Sequence, residues 1–155
     1  MDLTDYVRQL CLRAKKAASR MAALDGATKE RALRAMAEAI SDEAATIKAE
    51  NEKDLAVARE AGLAPALIDR LTLTDKRIAG MTQAVNEIAA QTDPVGEIER
   101  MVTRPSGIRV GKMRVPIGVV GIIYESRPNV TADATALCLK AGNACILRGG
   151  KEALH

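Results

Sequence analysis

Two short stretches near the C-terminus carry the residue types that hold phosphate. Arg148-Gly149-Gly150-Lys151 places a guanidinium fork and an ammonium on either side of two glycines. Both cations grip phosphate oxygens, and glycine lets backbone approach a ligand closely. Glu125-Ser126-Arg127-Pro128-Asn129 is a second polar loop with a cation of its own. As chemistry, the two loops suit a phosphorylated ligand such as a nucleotide. As structure alone, Gly-Gly is a common tight turn and exposed Arg and Lys are usually only solvated. On these residues both readings stay open. The dinucleotide fingerprint G-x-G-x-x-G is absent, because Gly118 and Gly121 fall inside an apolar run rather than in the turn after it. A standard Rossmann phosphate turn is therefore not supported.

Other chemistries are poorly served. The single His155 is the last residue, which leaves no rigid Ser-His-Asp triad or zinc site. Cys11, Cys138 and Cys145 are odd in number and lack metal-ligand spacing, as expected of a chain from the reducing cytosol. Each sits in an apolar stretch and reads as a small hydrophobe rather than a nucleophile. Two Tyr with no Phe or Trp give no stacking platform for nucleic acid bases. Net charge is +3 over 155 residues, with 48% hydrophobic and 28% charged residues, a globular balance. Residues 1–96 carry 14 basic and 15 acidic side chains, residues 97–116 five and two, and residues 117–155 four and three. No stretch reads as a DNA footprint. No apolar run approaches the ~20 residues of a membrane span, and no secretory signal is expected.

The elements that position the two loops follow from periodicity. Residues 1–96 read as helical. Val7, Leu10, Cys11, Ala14, Ala17, Met21 and Leu24 form one helix face, capped by Thr4 or Asp5 and ended by Asp25-Gly26. Thr28 caps a second helix with Ala32, Leu33, Met36, Ala37, Ile40, Ala44 and Ile47 inward. Glu50-Asn51-Glu52 suggests a break or bend before a third helix that runs through Leu55 and Ala58 and stops at Gly62. Pro65 opens a short fourth helix, and Thr74-Asp75 caps a fifth with Ile78, Met81, Val85, Ile88 and Ala89 inward. All these stripes are expected to be core.

The pattern changes at Asp93-Pro94. Segments 98–103 and 108–115 flank Arg104-Pro105-Ser106-Gly107, and residues 97–116 read as a basic β-hairpin. Its charge either blunts an edge against aggregation or marks an arm lying on a partner subunit. Residues 117–124 form a continuous apolar run, expected to be a strand buried on both faces. A helix from about Thr131 to Ala141, a stop at Gly142 and a strand at 144–147 follow. This spacing matches the ~30 residues of a right-handed βαβ unit with parallel strands. Residues 117–155 thus begin an α/β sheet, and both polar loops lie beyond its carboxyl ends, where ligands of open α/β sheets bind.

The string VPIGVVGIIYESRPNVT over 115–131, continued by LCLKAGN over 137–143 and ILRGGKE over 146–152, closely resembles the gamma-glutamyl phosphate reductase (glutamate-5-semialdehyde dehydrogenase) family. NEKD at 51–54, LTLT at 71–74 and DPVG at 93–96 extend the resemblance. It implies an aldehyde dehydrogenase-like fold: N-terminal helices, a β-hairpin arm and an incomplete parallel βαβ sheet of the cofactor domain. It also implies NADPH-dependent reduction of L-glutamyl 5-phosphate to glutamate 5-semialdehyde, with release of phosphate, in proline synthesis. In that superfamily the dinucleotide lies across the sheet without a Gly-rich turn. By resemblance Tyr124, Glu125, Ser126 and Arg127 line the nicotinamide side. Arg148 and Lys151, with Gly150 between them, reach the adenosine ribose, where two cations suit the 2′-phosphate of NADP. Asn129 is the candidate for substrate or oxyanion hydrogen bonding, and the hairpin corresponds to an oligomerisation arm.

The family's catalytic cysteine lies in a second domain beyond residue 155, and none of the three cysteines matches its motif. The chain is therefore expected to be an N-terminal portion, inactive alone. Two other readings remain. One is another acyl-phosphate or aldehyde dehydrogenase of the same fold, against which SRPNVT at 126–131 argues. The other is a non-catalytic helical interaction domain with a basic hairpin, which predicts no nucleotide affinity.

Overall fold

The structure, a computed structural model, describes residues 2–125 and 127–154. Its elements run α1 (Leu3–Met21), α2 (Gly26–Asp42), α3 (Ala44–Glu60), α4 (Pro65–Leu71), α5 (Asp75–Ala90), β1 (Ile98–Thr103), β2 (Arg109–Met113), β3 (Val119–Ile123), α6 (Asn129–Lys140) and β4 (Ala144–Arg148). Among the described residues no helix is long and apolar enough to cross a membrane.

The core is a contact of three helices. Leu33 and Ala37 of α2, Met81, Val85, Ile88 and Ala89 of α5, and Ala132 and Ala136 of α6 form one buried cluster. Four of these eight are alanines, whose small side chains let the helices approach closely. The α5 stripe is buried at all five expected positions, and Thr74 caps that helix by accepting the Arg77 N–H at 3.2 Å. A smaller cluster joins Leu55 and Ala58 of α3 to Leu71 of α4.

Three local expectations are corrected. The cap of α2 is Asp25, which accepts the Thr28 N–H at 2.6 Å, so Thr28 lies inside the helix and Gly26 opens it. The chain neither breaks nor bends at 50–52. It bends at Glu43, and α3 runs through the polar cluster because Asn51 is buried and bonded at both ends. Its Nδ2 donates to the Leu71 carbonyl at 3.0 Å and its Oδ1 accepts the Leu73 N–H at 2.7 Å, stitching α3 to the turn between α4 and α5. Third, α1 begins at Leu3 and buries only Ala14 and Ala18. Its other apolar positions are half-buried or exposed, because α1 packs chiefly on β4 and, less, on β3. A helix of 19 residues runs roughly 28 Å, whereas two strands offer a face only about 10 Å wide.

Buried charges hold the far side together. The Lys29 ammonium, 1% exposed, lies 2.7 and 2.6 Å from the two carboxylate oxygens of Asp93, which also accepts the Val95 N–H at 3.0 Å. Lys140, at the end of α6, is buried on the Ala89 carbonyl at 2.8 Å. These contacts fix the ends of α5 and α6 and the base of the hairpin.

β1 and β2 pair antiparallel around a turn closed by Gly107 N–H to Arg104 carbonyl at 2.8 Å, with Gly107 at φ +85°. Every residue of both strands is exposed. The ribbon is twisted by a bulge between Glu99 and Val102, where Arg100 adopts φ +51°. β3 and β4 pair in parallel, from Val119 opposite Ala144 to Ile123 opposite Arg148. Asn143 sets this register: its Oδ1 accepts the Gly118 N–H at 2.8 Å, while the Ala144 N–H meets the Gly118 carbonyl at 2.9 Å. The expectation of a strand buried on both faces is corrected. β3 is at most half-buried, and the flanking Ile117 and terminal Ile123 are 83% and 76% exposed. With β4 as its one neighbouring strand among the described residues, its apolar side chains meet too little cover.

Candidate functional site

The parallel register decides where the two cationic loops go. Because Ile123 lies opposite Arg148, both loops leave the same carboxyl edge, and the Tyr124 N–H bonds the Arg148 carbonyl at 3.1 Å. Arg127 and Arg148 therefore stand at one end of the sheet. Ser126 lies outside the described residues.

Two cavities, each of about 490 Å³, open beside this edge. Tyr124, Arg127 and Gly150 line the first, together with Asn51 and Asp54 of α3 and Thr131 and Thr135 of α6. The Tyr124 hydroxyl meets the Thr131 hydroxyl at 2.5 Å, which fixes the ring against α6. Asp54 is buried and its Oδ1 accepts the Leu154 N–H at 3.1 Å, drawing the chain after β4 toward α3. At Gly150 a Cβ would meet the Glu152 carboxylate, so any larger residue there would have to push that side chain aside.

The second cavity is lined by Arg127, Pro128, Asn129 and Asp133 and by Arg70 and Arg77. Arg77 is committed to structure: it donates to the carbonyls of Asp69 and Thr72, the latter at 2.7 Å, and pairs with the Asp69 carboxylate at 3.0 Å. Arg70 and Arg127 make no ion pair among the described residues. Asn129 donates to Asp133 Oδ2 at 3.1 Å, one helical turn away. Arg127, Pro128, Leu73 and Met81 border both cavities.

The structure thus brings Tyr124, Arg127 and Gly150 to one cavity and Arg127 and Asn129 to the next. Glu125, Arg148 and Lys151 are exposed at the same edge and line neither cavity. Sequence reasoning missed Asn51, Asp54, Arg70 and Asp133 as wall residues. The signal for the first two was their three-residue spacing on one face of a helix otherwise read as broken. Of the thiols, Cys11 is exposed and Cys145 half-buried. Cys138 is buried, and burial first, then the neighbouring Cys145, pushes its pKa above the ordinary thiol value. That is the reverse of what a nucleophile needs. Among the described residues no three His, Cys, Asp or Glu side chains gather as a metal-holding group.

No protein-family profile matches the chain. Solved structures do. The gamma-glutamyl phosphate reductase of Thermotoga maritima is 42% identical with a TM-score of 0.87, over 91% of this chain and 34% of its own. That of Saccharomyces cerevisiae is 36% identical with a TM-score of 0.90, over 94% of this chain and 37% of its own. A probable aldehyde dehydrogenase of Listeria monocytogenes, 20% identical with a TM-score of 0.68, shares the fold over 97% of this chain and 30% of its own. In sequence and in fold, over nearly its whole length, this chain matches the gamma-glutamyl phosphate reductases on an aldehyde dehydrogenase-like fold, and it spans about a third of the length of those it matches.

Proposed function

We propose that the chain forms the N-terminal, cofactor-binding part of an NADPH-dependent reductase that converts L-glutamyl 5-phosphate to L-glutamate 5-semialdehyde and phosphate, in the cytoplasm. The observation that carries this is the β3–β4 register, which sends Arg127 and Arg148 out of one sheet edge beside a cavity lined by Tyr124, Arg127 and Gly150. The donor set fits the cofactor. Arg148 and Lys151 are exposed and make no ion pair among the described residues, which leaves them for a 2′-phosphate. Tyr124, held by Thr131, offers a flat wall to a planar ring. The cofactor would supply hydride, and this chain's residues would bind and orient it. The thiol that carries the acyl group would come from sequence outside this chain, so the chain alone is expected to bind without turnover. The exposed hairpin, with Ile98, Met101, Val102, Ile108, Val110 and Met113 open to solvent, supports a role as the arm that joins subunits.

Titration of NADPH and NADH by cofactor fluorescence tests the reading. NADPH is expected to bind more tightly than NADH, and Arg148→Ala with Lys151→Ala to remove the difference. Equal affinities for the two cofactors would remove the 2′-phosphate assignment. No binding of either at millimolar concentration would favour a non-catalytic interaction domain, a reading that the wholly exposed hairpin also supports.

A further inference from the structure

We propose that Cys138 and Cys145 are a reversible redox pair, a modification site for small anionic disulfides, whose product is a disulfide joining the end of α6 to β4. The inference is independent of the cofactor reading.

The turn after α6 brings the two thiols together. The Gly142 N–H bonds the Leu139 carbonyl at 3.0 Å, and the Asn143 N–H bonds the Cys138 carbonyl at 2.8 Å, with Gly142 at φ +71°. This double closure ends a helix on glycine and turns the chain back on itself. β4 begins at the next residue, Ala144, so Cys145 returns beside Cys138. The two thiols share a hydrogen bond. Both flanks of the turn are anchored. Asn143 accepts the Gly118 N–H at 2.8 Å, and the Lys140 ammonium donates to the Ala89 carbonyl at 2.8 Å. Only cysteines that already neighbour one another can be bridged without backbone movement.

Unequal access orders the chemistry. Cys138 is 7% exposed, and burial keeps its thiol protonated. Cys145 is half-buried and lines a cavity of about 520 Å³ formed by α1, α6 and β4. Arg13 of α1 lines the same cavity and makes no ion pair among the described residues. A cation beside a reachable thiol draws anionic reagents to it. Cys145 therefore reacts first. Its thiolate attacks one sulfur of the incoming disulfide and forms a mixed disulfide, and the departing thiolate takes up the proton that Cys145 gave up. Cys138 then attacks the Cys145 Sγ, releases the second thiolate, passes its proton to it and closes the bridge. Two protein thiols are oxidised, and the small disulfide is reduced to two thiols. An excess of small thiols reverses both steps, as for cytosolic disulfides that report redox state.

The test treats Cys11→Ser, which removes the exposed third thiol, with glutathione disulfide and maps its peptides by mass. A mixed disulfide on Cys145 is expected first, then a Cys138–Cys145 bridge within one chain and release of two glutathione molecules. In the Cys11→Ser background, Cys138→Ser should keep the mixed disulfide on Cys145, and Cys145→Ser should leave Cys138 unmodified over the same time. Equilibration in glutathione buffers, with and without urea, reads what the fold contributes. Closure is expected to be about tenfold or more favourable in the folded chain than in the unfolded one. Four results overturn the proposal: no reaction at Cys145, a mixed disulfide there that does not close, a bridge formed only between copies, or equal closure in the folded and unfolded chains.

Discussion

Replacing Asp93 by Ala leaves the Lys29 ammonium enclosed at 1% exposure with no counter-charge, and strands the Val95 N–H as well. Breaking a buried pair from one side costs about 3–5 kcal/mol. For a chain of this size each kcal/mol lowers Tm by about 2–4 °C, so a fall of roughly 6–20 °C is expected. Replacing Lys29 by Met is expected to cost much less, since Asp93 keeps 24% exposure and its bond from Val95. The asymmetry has a pH signature. Burial alone would raise the Asp93 pKa, but the Lys29 hydrogen bond, the Val95 N–H and the charges of Lys29 and Lys140 outweigh it and hold it below its ordinary value of 3.8. The unfolded chain then binds the proton more readily than the folded one. The pair's contribution is therefore present above pH 3.8 and lost as pH falls below it through the folded value. Urea unfolding followed by circular dichroism from pH 7 to 3 reads both effects. The gap between the unaltered chain and Asp93→Ala should narrow at the acid end. A gap under 1 kcal/mol at pH 7, or one that stays constant to pH 3, would refute the assignment of a buried, stabilising pair.

Asn51→Ala leaves the Leu71 carbonyl and the Leu73 N–H without their partner and is expected to cost about 2–3 kcal/mol in the same urea assay. Gly142→Ala forces a side chain into φ +71° with its Cβ 3.0 Å from Pro116 Cγ, and a loss of about 1–2 kcal/mol or more should follow. Thiol labelling with a chromogenic disulfide at pH 8 should modify the exposed Cys11 first and Cys138 last, since burial keeps Cys138 protonated and shielded, and peptide mapping after timed quenching gives the order.

Much of this molecule is readable from local rules. The five-position stripe of α5, its Thr74 cap, Pro65 at the start of α4 and the turn at Arg104–Gly107 each depend on residues within a few positions of one another. So does the parallel pair around α6, because strand, helix and stop at Gly142 follow in sequence. What was hidden depends on distant partners. Asn51 looks like a helix breaker until Leu71 and Leu73 arrive to occupy its amide. The α1 stripe looks like core because periodicity reports a face without reporting what covers it. Of the site, the shared edge of the two loops was legible, since parallel strands dictate it. The α4 and α5 wall with Arg70 was not, because no short-range pattern brings residue 70 beside residue 127.

The Asn143 amide sits at the amino end of the parallel pair, far from the loops that matter. It nonetheless governs their relative height. Sliding β3 by a single position would move its loop by about 3.3 Å and turn every side chain to the other face. A pin at one end of two ribbons thus calibrates the gap at the other, so the loops after Ile123 and Arg148 can be exchanged for different sequences while their mutual spacing stays fixed.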